Sequence, residues 1–196
     1  MIQGEEMKHT IVALMEDHPG VLNRVVSLFR RRNFNIESLT VGHTDQAGIS
    51  RMTIVVDGAD TVVEQVTKQL YKVIEILKVS DLTQEKTVVR ELALIKVSTN
   101  GQTRSEVMQV VDIYRAKIVD VANDSLMVEV TGPEEKIDSL LNFLRPYGIK
   151  EVVRTGRVAM MRGAAGTTRA PDDDGDSREA RARSARAFAR AATAEA

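Results

Sequence analysis

The apolar positions of this chain change period several times, and the changes mark out its elements. His9 to Met15 is a short aliphatic and β-branched run stopped by Glu16, Asp17, His18, Pro19 and Gly20, which predicts a strand and a tight loop. From Val21 the spacing becomes helical, with Leu22, Val25, Val26 and Phe29 at i, i+3, i+4 and i+7. Arg30, Arg31 and Arg32 fall at the C-terminal end of that helix, where positive charge complements the dipole. Asn33 is placed as a left-handed cap, a conformation that Asn tolerates better than most residues.

Two strand-like runs follow, Asn35 to His43 and Ile49 to Asp57, joined by the turn-like Thr44 to Gly48 as an antiparallel hairpin. In the second run Met52, Ile54 and Val56 alternate with Arg51, Thr53 and Val55, so one sheet face is the more apolar. Asp60 is placed as the N-cap of a helix carrying Val62, Val63, Val66 and Leu70, and Ile74 to Leu82 closes the unit as a strand. The order is βαββαβ, the split βαβ of a ferredoxin-like sandwich.

The pattern then recurs. Thr87 to Ser98 reads as a strand, and Val107, Val110, Val111 and Tyr114 mark a helix. Ile118 to Ala122 and Leu126 to Thr131 are strands around the turn at Asn123, Asp124 and Ser125. Pro133 opens a helix at its first position with Ile137, Leu140, Leu141 and Leu144 facing inward, Gly148 ends it, and Ile149 to Val153 is the last strand. The expected fold class is α+β, with one ferredoxin-like unit over 7–83 and another over 84–162. A flexible tail over 163–196 completes the chain. That tail has Asp172, Asp173 and Asp174, then an Ala/Arg-rich stretch with Phe188 as its one large apolar residue, a composition that favours disorder over a helix docked on a partner.

Composition narrows the function. Lys plus Arg total 27 and Asp plus Glu 28 in 196 residues, so there is no basic excess for binding nucleic acid by counterion release. Aromatic residues make up 4%, and the strands show none in an alternation that would stack RNA bases. The absence of cysteine excludes disulfides, thiolate metal sites and cysteine nucleophiles. No basic-then-apolar leader opens the chain and no apolar run approaches the roughly 20 residues that span a bilayer, so a cytoplasmic location is expected.

Reactive constellations are scarce. His9, His18 and His43 form no i, i+4 pair, and no Gly-x-Ser-x-Gly elbow is present. Gly163 to Gly166 lacks the lysine of a phosphate loop, and Asp174, Gly175 and Asp176 match a thiamine-diphosphate motif by letters only. One local feature carries chemistry. The first strand runs through Asp17 to Gly20 directly into a helix, whose unpaired N–H groups and dipole suit a carboxylate. Gly20 would let a ligand approach the backbone, and Pro19 would fix the chain's entry, although the spacing alone favours an ordinary strand-to-helix turn. A ferredoxin-like sheet also leaves open edges, which pairing with a second copy would cover, so a site between two edges would be shared by two subunits.

A resemblance adds to this. The blocks Pro19-Gly20-Val21-Leu22, Phe34-Asn35-Ile36-Glu37-Ser38-Leu39-Thr40-Val41 and Ser50-Arg51-Met52-Thr53-Ile54 resemble the ACT domain of acetohydroxyacid (acetolactate) synthase small subunits. Gln69-Leu70-Tyr71-Lys72 and the run Val88 to Lys96 fit the same family, and the resemblance covers about residues 7 to 162. It implies a non-catalytic regulatory subunit, dimeric through its ACT domains, with no cofactor and no catalytic residue of its own. The implied partner is a large catalytic subunit holding thiamine diphosphate, Mg²⁺ and FAD, which joins two pyruvates into 2-acetolactate and CO₂ in isoleucine, leucine and valine biosynthesis. It also implies feedback inhibition by a branched-chain amino acid, commonly valine. Carried over, Asp17, Gly20, Val21 and Leu22 of one subunit would hold the effector's backbone, with Asn35, Ile36 and Val41 of the neighbour completing the pocket. Asn33 and Gly42 depart from the family's usual residues, the second leaving pocket size and effector choice open. A free-standing amino-acid sensor is the competing reading; the matching second half favours a synthase partner.

Overall fold

The computed structural model describes residues 8–163, and they divide into two units. The first runs to Thr87 and takes back Met161 to Gly163; the second is Val88–Met160. The expected flexible tail lies outside the described residues, apart from Gly163.

The first unit is built from β1 (Lys8–Glu16), α1 (Val21–Arg31), β2 (Ile36–His43), β3 (Ile49–Asp57), α2 (Asp60–Leu70) and β4 (Ile76–Asp81). Its sheet order is β2-β3-β1-β4, all neighbours antiparallel, so β2 and β4 are the edges and β1 and β3 the interior. β1 is inaccessible on both faces from His9 to Met15, which explains why it reads as a continuous apolar run rather than an alternation. Its one buried imidazole is satisfied, with His9 Nε2 lying 2.9 Å from the Gly58 carbonyl oxygen. β3 has the bounds that its sequence predicts; Met52, Ile54 and Val56 enter the helix-side core, and Thr53 and Val55 on the other face are buried as well.

α1 corrects the sequence reading. The core stripe is Val21, Val25, Leu28 and Phe29, while Leu22 and Val26 are 41% and 40% exposed. Both stripes have helical spacing and lie about one residue apart around the axis, so the pattern identified a helix without fixing which edge of its apolar arc faces inward. In α2, Val63, Val66 and Leu70 are buried as expected and Val62 is half-buried against the core. Asp60 is the first helical residue and Ala59 holds the capping position instead. Ile74 lies in the turn before β4, 86% exposed, since the strand starts only at Ile76.

The second unit repeats the order with β5 (Thr87–Ser98), α3 (Arg104–Ile113), β6 (Lys117–Val121), β7 (Ser125–Gly132), α4 (Glu134–Leu144) and β8 (Ile149–Arg154). Its sheet order is β6-β7-β5-β8, and a short β9 (Val158–Met161), absent from the sequence reading, pairs with β5. Pro133 stands just before the first residue of α4 rather than in it, and a 3₁₀ turn, Arg145–Tyr147, separates the helix from Gly148. Ile137, Leu140 and Leu144 pack with Val107 and Val111 against the apolar face of β5 and β7, and Leu141 joins them half-buried. The carboxylate of Glu91, 8% exposed, is held by a two-pronged contact from Arg154 (Nε 2.9 Å, Nη2 2.7 Å), whose Nη1 also reaches Asp138 at 2.7 Å.

The internal repeat extends to a backbone detail. Asn33 has φ +56° after α1, and Arg115 has φ +50° at the same place after α3. Around Asn33 the Phe34 N–H reaches the Phe29 carbonyl at 3.1 Å and the Asn33 N–H reaches that of Arg30 at 3.2 Å. Around Arg115 the corresponding bonds, Ala116 to Val111 and Arg115 to Asp112, are 3.0 and 2.9 Å. This paired pattern closes a helix with a left-handed residue, where Gly is the usual occupant. Arginine has a Cβ penalty there, so Arg115→Gly should raise unfolding free energy by about 0.5–1 kcal/mol, the glycine's unfolded-state entropy offsetting part of the relief. A chemical-denaturation midpoint that fell instead would mean that the arginine side chain contributes more than its backbone costs.

Candidate functional site

The loop between β1 and α1 is tied to the sheet by its backbone: the Asp17 N–H donates to the Gly48 carbonyl at 2.8 Å and the Glu16 N–H to that of Glu75 at 3.0 Å. Gly20 then takes φ +93° and ψ −16°, and its carbonyl accepts the Arg24 N–H at 3.1 Å as the first turn of α1 begins. A Cβ at Gly20 would meet nothing within 4 Å, so what favours glycine there is the positive φ rather than crowding, and the space beside it is open.

No side chain caps α1, and its first turn holds no acidic residue. The Val21 N–H has a long 3.5 Å contact to the His18 carbonyl, and the Leu22 and Asn23 N–H groups find no acceptor among the described residues. Unpaired N–H groups at the positive end of a helix beside open space form an anion seat. The repeat allows a comparison. In the second unit Asn100 Oδ1 accepts the N–H groups of Gln102 and Thr103 at 2.9 Å each, and Glu106 places a carboxylate in the first turn of α3. Those two N–H groups precede α3, which has no side-chain cap either, so the two helix starts differ in the first-turn carboxylate of Glu106 and not in capping.

Asp17 is not free-standing. Its Oδ2 lies 3.0 Å from His43 Nδ1 at the end of β2, and His18 Nε2 lies 3.2 Å from Glu16 Oε2. The pairing of Asp17 with His43 joins residues 26 apart in sequence, and no local spacing announces it; the β2-β3-β1 order creates it. Val21 is buried in the core, so only its backbone faces the seat, whereas Leu22 and Val41 present exposed apolar side chains.

The sequence-expected residues fall into two groups. β1 and β2 both run antiparallel to β3, so their C-terminal ends share one end of the sheet, and Val41, paired with Met52, lies toward the end that bears Asp17, Gly20, Val21 and Leu22. Asn35 precedes β2 at the other end, where Ile36 pairs with Val56. The loop joins β1 at Glu16, opposite Ile49, seven residues along β3 from Val56, which is roughly 23 Å of strand. One chain therefore cannot gather all seven residues into one pocket. Val41, which the resemblance groups with the neighbour's residues, lies near mid-sheet, its partner Met52 three residues from Ile49 at the loop's end and four from Val56 at the other. Among the described residues no cluster of three or more His, Cys, Asp or Glu has metal-binding geometry, and no helix is long and apolar enough to cross a membrane.

Comparisons with known proteins bear on both units. A family model described as an AHAS small subunit-like ACT domain matches residues 11–78, and one described as the small subunit of acetolactate synthase matches 90–163. A probable acetolactate synthase small subunit of Archaeoglobus fulgidus is 58% identical over 157 residues, covering 80% of this chain and 98% of its own length. The acetolactate synthase small subunit of Bacillus subtilis is 51% identical over 158 residues, covering 80% and 92%. Among solved structures, the acetolactate synthase small subunit of Thermotoga maritima aligns with a TM-score of 0.75 at 41% identity, covering 80% of this chain and 98% of that one.

Proposed function

We propose, from the premise that the chain belongs to the acetolactate synthase small-subunit family, that it activates the large catalytic subunit and makes it answer to valine. The catalytic partner would hold thiamine diphosphate, Mg²⁺ and FAD and carry out the condensation of pyruvate; this chain would contribute control. The observation that carries the sensor role is the uncapped start of α1 at Gly20, with free N–H groups at Leu22 and Asn23.

An α-amino acid offers a carboxylate to those N–H groups and an ammonium to an acceptor, a role that the Asp17 carboxylate of the same loop would fill. Leu22 and Val41, both about 40% exposed, supply apolar surface suited to a short branched side chain. The separation of Asn35 and Ile36 from this cluster supports a site shared by two chains. β2 is an edge strand, and pairing two edges about a two-fold axis sets the strands antiparallel. The start of one β2 then lies beside the end of the other, so the neighbour's Asn35 and Ile36 approach the first chain's Gly20, Leu22 and Val41. Val41, midway along the edge strand, would lie between the two groups.

Control follows if valine binds one arrangement of this dimer better than another and that arrangement supports the catalytic subunit less well. A coupling of about 1–3 kcal/mol between effector and partner is sufficient. Reconstitution tests the reading: adding the chain to its catalytic partner should raise acetolactate formation, and valine should reverse the rise. Stimulation without valine reversal would move the question to another effector, and an unchanged rate would favour a free-standing sensor.

A further inference from the structure

A second feature of the first unit lies between its helices, away from the uncapped start of α1. A groove of about 880 Å³ is lined along α1 by Arg24, Ser27, Leu28, Arg30 and Arg31, and across from them by Lys72, Val73, Ile74 and Glu75, with Arg32 at its end. Arg24 pairs with Glu75, a carboxylate 5% exposed at the floor, and so neutralises it. Arg30, Arg31, Arg32 and Lys72 have no acidic partner among the described residues. By contrast, Lys8 is paired with Glu37 and Lys68 with Glu64. Four unpaired positive charges converge on one groove in a chain whose formal net charge is −1. Arg30 and Arg31 also meet the negative end of α1, but a helix dipole does not account for Lys72 or for Arg32 beyond the helix.

We propose that the acidic run Asp172, Asp173, Asp174 and Asp176 of the same chain docks in this groove. Charge complementarity names the occupant: this run is the densest group of carboxylates in the sequence, and it lies beyond the region matched by either family model, which ends at 163. Reach permits it. The chain arrives at Gly163 beside Lys86, where the Arg162 N–H donates to the Lys86 carbonyl at 2.8 Å. From there the groove is the length of β4 away, six residues or roughly 20 Å, plus the tight turn closed by the Glu85 N–H on the Leu82 carbonyl. Asp172 is nine residues past Gly163, a reach of up to about 30 Å. Acidic residues and arginines are six each after Gly163, so the tail brings no net charge and only its order places carboxylates ahead of the arginine stretch. The docked run would sit close to the loop at Asp17, since Glu75 is bonded to Glu16 through the backbone, and would thereby shield the cationic face of α1 from other anions.

The absence of cysteine makes the test direct. In the full-length protein, the pair Ile74→Cys and Gly175→Cys is compared under mild oxidation with Ala47→Cys and Gly175→Cys. Ala47 is exposed, lies at the same end of the sheet, and is not among the residues that line the groove. Docking predicts that the Ile74 pair closes within one chain at least roughly ten times faster. It also predicts that Asp172→Asn, Asp173→Asn and Asp174→Asn together, beyond the region that either family model matches, abolish the difference. Equal rates for the two pairs, a rate unmoved by the three Asn substitutions, or closure only between chains would each overturn the proposal.

Discussion

Gly20→Asp should abolish valine inhibition of the reconstituted enzyme while leaving most of the stimulation in place. The aspartate would set a carboxylate beside the N–H groups that are to hold the effector's own carboxylate. Two like charges about 4 Å apart repel by about 4 kcal/mol at an effective dielectric of about 20. With screening by solvent, a loss of about 2–4 kcal/mol of effector binding is expected, roughly 30- to 1000-fold in affinity. The substitution should still fold, because nothing lies within 4 Å of the new Cβ and Asp is among the residues that tolerate positive φ. Gly20→Ala separates the two contributions: it adds the backbone strain of φ +93° without the charge and should cost less than about tenfold. A Gly20→Asp enzyme that remained fully valine-sensitive would place the effector elsewhere.

The largest stability effect should come from Phe29→Ala. Phe29 is 1% exposed, its ring meets Phe34 edge-on at 5.9 Å between centroids, and its carbonyl accepts the N–H that closes the end of α1. Removing the ring leaves a cavity under the helix and loosens its C-terminal clasp, at about 3–5 kcal/mol. Small domains hold only about 5–15 kcal/mol in all, so the first unit should be substantially destabilised. Val26→Ala, on the 40% exposed stripe, should cost under about 1 kcal/mol in dilute protein. Denaturant unfolding of the two variants distinguishes them. Equal midpoints would mean that the buried stripe of α1 is misassigned.

That comparison also marks how far the residues alone carry. The βαββαβ order, the bounds of β3 and β5 and the left-handed Asn33 follow from short-range physics: alternation, helical spacing and the tolerance of Asn for positive φ. The rotation of α1 does not, because Leu22 and Val26 continue the same apolar arc as Val21 and Val25, and only packing over the sheet selects between them. β9 is not legible in the sequence because four residues are too few to show a period. At the site, Gly20 and its loop were legible as a local signal. The grip of His43 on Asp17 was not, nor was the separation of Asn35 from Gly20, since both arise from strand order. By position in the sequence Arg30 to Arg32 are partners of the helix dipole; their part in a groove with Lys72 depends on where the turn after α2 lands.

The most direct measurement mixes two lesions. Gly20→Asp and Asn35→Ala chains would be reconstituted with the catalytic subunit separately and as a mixture, and acetolactate formation followed across a valine titration. A site shared between two chains predicts that each variant alone resists valine. The mixture should regain inhibition, because every mixed dimer keeps one site with an intact Gly20 and an intact Asn35. A mixture as resistant as its parents would put both residues in a site within one chain and contradict the account.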